Sequence, residues 1–255
     1  MTRVTTLLKC RAVNKIRENI ETVKAKMRAA CIHSGRDPES VRLLLATKTV
    51  SAETIRQALI FDKNLLGENK VQELSQKHSQ LIATGTEFHF IGHLQTNKVK
   101  QVLKYASCIQ SVDRLELVQK LDQRLQFEGR NLDIFIQVNT SYEESKFGIS
   151  PENAISLARE ISKYDTLKVK GLMTIGLFGA EQKRLRKCFR LLRNLKSEIK
   201  DLNLANFAPD ELSMGMSNDL ETAIEEGATI VRVGTAVFGD RIYPDSFYWN
   251  EQNPS

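Results

Sequence analysis

The sequence predicts an α/β fold, a single closed (β/α)8 barrel of the TIM type with one extra helix in front. Three observations carry that prediction. Apolar runs of strand length alternate strictly with stretches of helical spacing, and such alternation gives parallel strands joined by right-handed crossovers. Eight such units follow one another in about 215 residues, the number and length a closed barrel needs. No Gly-x-Gly-x-x-Gly follows the first strand, so an open dinucleotide-binding sheet lacks its fingerprint.

Each element has a local cause. From about 14 to 34, Ile16, Ile20, Val23, Met27 and Ala30 recur at helical spacing until Gly35 stops the run, which predicts the extra N-terminal helix. Val41-Arg-Leu-Leu-Leu-Ala-Thr-Lys48 is an apolar strand ending in a lysine, and Ser51 is a natural N-cap for a helix reaching about Phe61. Asn64 to Gly67 is a short strand, followed by a helix to about Ile82. Glu87 to Gly92 is a strand and Leu94 to Tyr105 a helix. Cys108 to Val112 is a strand, with Asp113 expected to cap a helix reaching about Phe127. Leu132 to Asn139 is the clearest strand, and a loop leads from it to Pro151 at the start of a helix ending near Tyr164. Leu167 to Thr174 is a strand and Glu181 to about Leu202 a long helix. Glu211 to Met214 is a short strand and Asn218 to Glu226 a helix. Thr229 to Val233 is the last strand, and Thr235 to Phe238 opens the final turn. The tail over about 243–255 is polar and reads as loose. No linker rich in Pro, Gly or Ser divides the chain, so residues 1–255 read as one domain.

Composition narrows the function classes. With 41% hydrophobic and 27% charged residues, the chain is ordinary globular material rather than disordered. No apolar run approaches the roughly 20 residues needed to span a bilayer, and the first ten residues lack a secretory signal pattern, so no membrane association is expected. Cys10, Cys31, Cys108 and Cys188 are scattered, which reads as reduced thiols in a cytoplasmic protein without a metal site. The net charge of +6 raises the question of nucleic acid. The densest basic cluster, Lys183 to Lys187 with Arg190 and Arg193, lies on an amphipathic helix without interleaved aromatics, so it reads as a solvated face.

Barrel chemistry sits at the carboxyl ends of the strands, and three features there stand out. Lys48 closes a buried strand, where its ammonium either reaches past the strand into water or serves as an amine with a lowered pKa that forms a Schiff base. The loops Met214-Gly-Met-Ser-Asn-Asp219 and Val233-Gly-Thr-Ala236 each put a glycine and a hydroxyl ahead of a helix. They are either ordinary N-caps or a cup of backbone N–H groups for a phosphate, with Ser217 and Thr235 adding donors. Arg232 is a guanidinium in an otherwise apolar strand, either bridged to a structural carboxylate or facing a ring nitrogen or carboxylate of a ligand. His89 and His93 lie on a strand and its exit turn, a poor metal pair. Glu143 and Glu144 read as solvated. A strand-end lysine, a phosphate cup and an arginine on one rim together point to pyridoxal 5'-phosphate.

The motifs also resemble those of a known family. Ala46-Thr-Lys-Thr49, Gly67-Glu-Asn-Lys-Val-Gln-Glu73, Phe88-His-Phe-Ile-Gly-His-Leu-Gln-Thr-Asn-Lys98, Gln137-Val-Asn-Thr140, Ser145-Lys-Phe-Gly148, Gly171-Leu-Met-Thr-Ile-Gly176, Leu212 to Asp219 and Val231-Arg-Val-Gly-Thr235 occur in order between about Asn14 and Arg241. In these the chain resembles the pyridoxal phosphate homeostasis proteins, single-domain relatives of the alanine racemase N-terminal barrel and of fold-type III. The resemblance implies that Lys48 carries the cofactor as a Schiff base and that Asn69 lies near its ring. It also implies that Met173 and Met214 line the pocket, that Ser217, Gly234 and Thr235 hold the phosphate, and that Arg232 faces the pyridine nitrogen. Lys70 departs from the family, which often has tyrosine there.

An arginine at the pyridine nitrogen does not readily donate a proton, so the ring stays a poor electron sink and transamination is disfavoured. Racemisation needs a second acid–base group, which related racemases bring on an additional β-domain. Beyond Arg241 only Ile242 to Ser255 remain, where Tyr243 and Tyr248 lie. The expectation is therefore a monomeric cofactor carrier or regulator in vitamin B6 and amino-acid/keto-acid balance, with no catalytic residues. Its partners would be pyridoxal phosphate and apo forms of enzymes that use it. A weak amino-acid racemase is the alternative, and a basic nucleic-acid-binding protein the third reading.

Overall fold

Eight parallel strands close on themselves in sequence order, β1 pairing with both β2 and β8. They are β1 (Arg42–Ala46), β2 (Leu65–Glu68), β3 (Glu87–Phe90), β4 (Cys108–Val112), β5 (Leu132–Gln137), β6 (Leu167–Met173), β7 (Phe207–Ser213) and β8 (Ile230–Val233). The computed structural model describes residues 3–62, 65–177, 179 and 181–239, with residues 3–12 as backbone only. Asn64, the thiol of Cys10, Arg241, Tyr243, Tyr248 and the 243–255 tail lie outside the described residues.

The strand–helix alternation holds throughout. The helices are α1 (Arg3–His33), α2 (Ala52–Ala58), α3 (Val71–Leu81), α4 (Val99–Val102), α5 (Leu115–Glu128), α6 (Pro151–Ile161), α7 (Gln182–Asp201), α8 (Leu220–Glu225) and α9 (Thr235–Phe238). Ser51 caps α2 by accepting from the Thr54 N–H, and Pro151 opens α6.

Four local expectations need correction. The first helix begins at Arg3 rather than near Asn14, because extending an existing helix needs no apolar stripe of its own. The expected helix from Leu94 to Tyr105 is a 3₁₀ turn (Thr96–Lys98) running into the single turn of α4, and the Leu94 carbonyl accepts instead from the Arg114 guanidinium at 2.7 Å. β7 starts at Phe207, not Glu211. Pro209 and exposed Asp210 hide the strand signal, yet Phe207 pairs with Val169. Asp113 does not cap α5. Arg114 stands at the N-cap, and the Asp113 carboxylate accepts from its guanidinium at 2.7 Å.

Alternation along each strand separates two cores. Leu44, Leu65, Cys108, Phe135, Met173 and Ile230 fill the barrel interior. A larger cluster, including Leu45, Leu66, Phe90, Ile109, Ile134, Leu172 and Val231, packs the outer face of the strands against the helices. Burying a side chain of this size contributes about 1.5–3 kcal/mol, so the two layers supply most of the drive to close the barrel. The apolar stripe of α1 packs against α2, α8 and α9, and Asn19 Nδ2 donates to the Val237 carbonyl at 2.9 Å. Because α9 is a single turn, α1 takes the place in the outer ring that a full eighth helix would occupy.

Candidate functional site

The eight residues named from sequence lie at the carboxyl ends of β6, β7, β8, β1 and β2. Since β8 pairs with β1, these ends form one unbroken arc of the barrel rim.

Lys48 follows the buried Thr47, the first residue past the end of β1, and is itself half-buried. The next residue, Thr49, adopts a left-handed φ of 66°, and the Val50 N–H donates to the Thr47 carbonyl at 3.0 Å, so Lys48 rides on a tight turn. On the neighbouring strand end, Asn69 lies against Gly92. A Cβ at Gly92 would fall 2.1 Å from the Asn69 carbonyl oxygen, so only glycine lets the two exit turns pack this closely. The Asn69 side-chain oxygen is buried with no hydrogen-bond partner among the described residues. Burying such an atom unpaired is costly, which marks it as available to a ligand.

Across the arc, Arg232 projects into the barrel on the same face as Ile230. Its guanidinium donates to Ser213 Oγ and to the Thr174 carbonyl, both at 2.8 Å. Burial lowers its pKa to about 10, with the charge of Asp219 acting against that shift, so it stays cationic at neutral pH. Among the described residues no carboxylate comes within ion-pair distance of it, so the structural salt bridge left open from sequence does not form. A polarised chain continues from it instead. Ser213 Oγ donates to Gln110 Oε1 at 2.6 Å, and Gln110 Nε2 lies 2.7 Å from His89 Nδ1. Burial, helped by the charge of Arg42, lowers the His89 pKa to about 3, so the ring is neutral. With the amide donating to Nδ1, the ring proton sits on Nε2. Every donor in the chain points away from Arg232, which spreads its charge through the interior.

The two glycine loops meet physically, though not as the sequence implied. Ser217 does not cap α8. Asp219 occupies that N-cap position, and its carboxylate accepts from the Met216 N–H. Ser217 Oγ instead crosses to the first turn of α9, where Thr235 Oγ1 donates to it at 3.1 Å and the Ala236 N–H at 3.3 Å. Gly234 is the N-cap of α9, and the Gly215 carbonyl accepts from the Arg232 N–H at 2.9 Å. Gly215 has a φ of 92°, and a Cβ there would come 2.5 Å from Ala223 Cβ, so the loop is pressed onto α8. Met173 belongs to the interior cluster, beside Thr174. Met214 packs in the outer cluster, so its side chain braces the loop from behind rather than lining the interior.

Some residues went unremarked or behave otherwise. Ser213, Gln110 and His89 form the interior chain, and polar residues on the inward parity of β3, β4 and β7 were the available signal. His89 and His93 do not converge, because His93 stacks on Phe147 at 3.9 Å. Glu143 and Glu144 are exposed, and Glu143 pairs with Lys146. In the basic cluster of α7, Arg186, Arg190 and Arg193 converge on the Glu226 carboxylate at 3.1, 3.0 and 3.0 Å. Among the described residues no group of His, Cys, Asp and Glu is arranged to hold a metal, and no helix is long and apolar enough to cross a membrane.

Comparison with known proteins adds independent information. Residues 12–242 match the family model of the alanine racemase N-terminal domain. A pyridoxal phosphate homeostasis protein of Aquifex aeolicus is 41% identical over 226 residues, which cover 89% of this chain and 98% of the relative. A crystal structure of an unknown protein from Bifidobacterium adolescentis superposes with a TM-score of 0.85 at 36% identity, covering 89% of this chain and 96% of the other. PipY of Synechococcus elongatus with PLP bound superposes with a TM-score of 0.77 at 29% identity, covering 88% of this chain and all of that one.

Proposed function

This chain belongs to the pyridoxal phosphate homeostasis protein family, and from that premise we propose that it binds pyridoxal 5'-phosphate on the β6–β2 arc of its rim. It does so as one barrel domain, monomeric and cytoplasmic. Bound there, the cofactor would supply an aldehyde carbon open to a primary amine. Lys48 presents that amine. Ser217, Gly234 and Thr235 hold the phosphate. Asn69 offers its unpaired oxygen to the ring side, and Met173 packs beneath, with Met214 supporting the loop. Arg232 faces the pyridine nitrogen as a fixed cation.

The observation that carries this reading is the electrostatic state of the arc. Among the described residues the buried guanidinium has no carboxylate partner and an acceptor oxygen of Asn69 is unsatisfied, and a hydroxyl cup stands on the adjoining loops. An anionic ring compound with polar edges complements all three. The name of the Aquifex relative and the PLP bound to PipY support the same ligand.

The role is homeostatic rather than catalytic. The names of the relatives support this, and so does Arg232, which keeps its own proton and leaves the ring a weak electron sink. The protein would hold and release cofactor to apo-enzymes, affecting amino-acid and keto-acid balance. The test is spectroscopic. Wild-type protein reconstituted with pyridoxal phosphate should show a visible absorbance band that Lys48→Ala abolishes. A wild type without the band, or a variant that keeps it, would refute the assignment. Multiple-turnover exchange of the α-hydrogen of both alanine enantiomers in heavy water would refute the non-enzymatic role.

A further inference from the structure

The turn carrying Lys48 is gripped from outside the barrel by charged side chains that take no part in the cup. Glu68, the last residue of β2, points to the outer face and is fully buried. Glu73 and Lys77 stand one turn apart on α3 and form an i,i+4 ion pair at 2.7 Å. The buried Lys77 ammonium spends all three of its donors, on the Glu73 carboxylate, on Glu68 Oε1 at 2.9 Å and on the Thr47 carbonyl at 2.7 Å. Glu73 Oε2 also accepts from the Thr49 N–H at 2.8 Å. Thr47 Oγ1 donates to Glu68 Oε1 at 2.6 Å.

The Thr47 carbonyl and the Thr49 N–H belong to the two peptide groups on either side of the Lys48 Cα. Both are therefore held by side chains of one helix. Thr49 is β-branched and left-handed, a conformation that persists only where its surroundings impose it, and the bond from Glu73 is what reaches it. We propose that Glu73 and Lys77 are positioning residues: anchored on Glu68, they fix both peptide groups flanking Lys48 and so aim its amine at the carbon it captures. This rests on the reading of Lys48 given above. It adds that the geometry of capture, separately from affinity for the phosphate and ring, is set from α3.

Pyridoxamine phosphate separates the two, because it has the phosphate and ring but no aldehyde. Glu73→Ala should weaken covalent capture of pyridoxal phosphate, read from the absorbance band, by about tenfold, the scale of one lost charge-assisted hydrogen bond. Its affinity for pyridoxamine phosphate should stay within about twofold of wild type. Glu73→Gln keeps an acceptor for the Thr49 N–H and should restore most of the capture. Glu73→Asp keeps the charge but shortens the reach, so it should show the selective loss even if the alanine variant does not fold. Equal losses for both ligands, or capture by Glu73→Ala and Glu73→Asp at the wild-type level, would overturn the proposal. A wild type that binds pyridoxamine phosphate but captures no aldehyde would overturn the reading of Lys48 itself.

Discussion

Glu68 gives the clearest case of a single residue whose environment sets a measurable property. Its pKa rises to about 7 from the usual 4.5. Burial is the main cause, opposed by the Lys77 charge, reinforced by the Glu73 charge and opposed again by the hydrogen bonds from Thr47 and Lys77. The folded protein therefore holds this proton more tightly than the unfolded chain does. Its contribution to stability is full below about pH 4.5 and is lost as the pH rises through about 7, on the order of 3 kcal/mol in all. His89 has the opposite slope. Its pKa is lowered to about 3, so its contribution is present at neutral pH and is lost as the pH falls below about 6.5. The two overlap in the acidic range, and only a difference measurement isolates Glu68. Relative to Glu68→Gln, the wild type should lose on the order of 3 kcal/mol between about pH 5 and about pH 8, followed by urea unfolding at each pH. A difference that does not change with pH would contradict the assignment.

At the scale of elements, the site depends on how strand ends leave the barrel. The β2 and β3 exits touch backbone to backbone at Asn69 and Gly92. Gly92→Ala would push a methyl group into a carbonyl oxygen, with no flexible side chain to give way. We expect it to destabilise the fold by about 1–3 kcal/mol and to weaken pyridoxal phosphate binding by displacing Asn69. A titration at the wild-type affinity would show that Asn69 is not needed where it stands. The strands themselves were legible because each is an apolar run between turn signals. β7 was cut short because Pro209, Asp210 and Glu211 interrupt that run at its exposed start. The rim residues were legible as chemistry out of place, a lysine and an arginine among aliphatics. Their partners were not. Ser217 looks like the cap of the nearest helix in sequence, but loop packing delivers it to the start of α9 and leaves Asp219 at the α8 N-cap. The resemblance implies Met214 in the pocket lining, yet it packs in the outer cluster, because the parity of a side chain is not legible where a strand turns into a loop. Nothing in the sequence ties Glu73 and Lys77 to the Lys48 turn, since nothing local shows that Glu68 and Thr47 lie against that face of α3.

Over the whole molecule, the helical ring and the rim divide stability from function. Among the described residues β8 is followed by the single turn of α9, so these helices alone would leave the outer faces of β8 and β1 thinly covered. α1 closes that gap from the other end of the chain. Its Ile16, Ile20, Val23 and Met27 stripe is buried, and its neighbours are α2, α8 and α9. Those contacts lie on the outer layer, while the candidate site lies on the carboxyl rim. The two should therefore respond independently to mutation. Ile20, 1% exposed, is the central test. Ile20→Ala removes buried methyl groups and leaves a cavity between α1 and the ring, which should cost about 2–5 kcal/mol in urea unfolding. At about 2–4 °C per kcal/mol for a chain of this size, the melting temperature should fall by roughly 4–20 °C. Affinity for pyridoxal phosphate in the folded variant should stay within about twofold of wild type. A loss of affinity comparable to the loss of stability would show that α1 reaches the site through α9, which carries Thr235. The extra helix would then be part of the binding apparatus rather than a cover for the outer face beside the short α9.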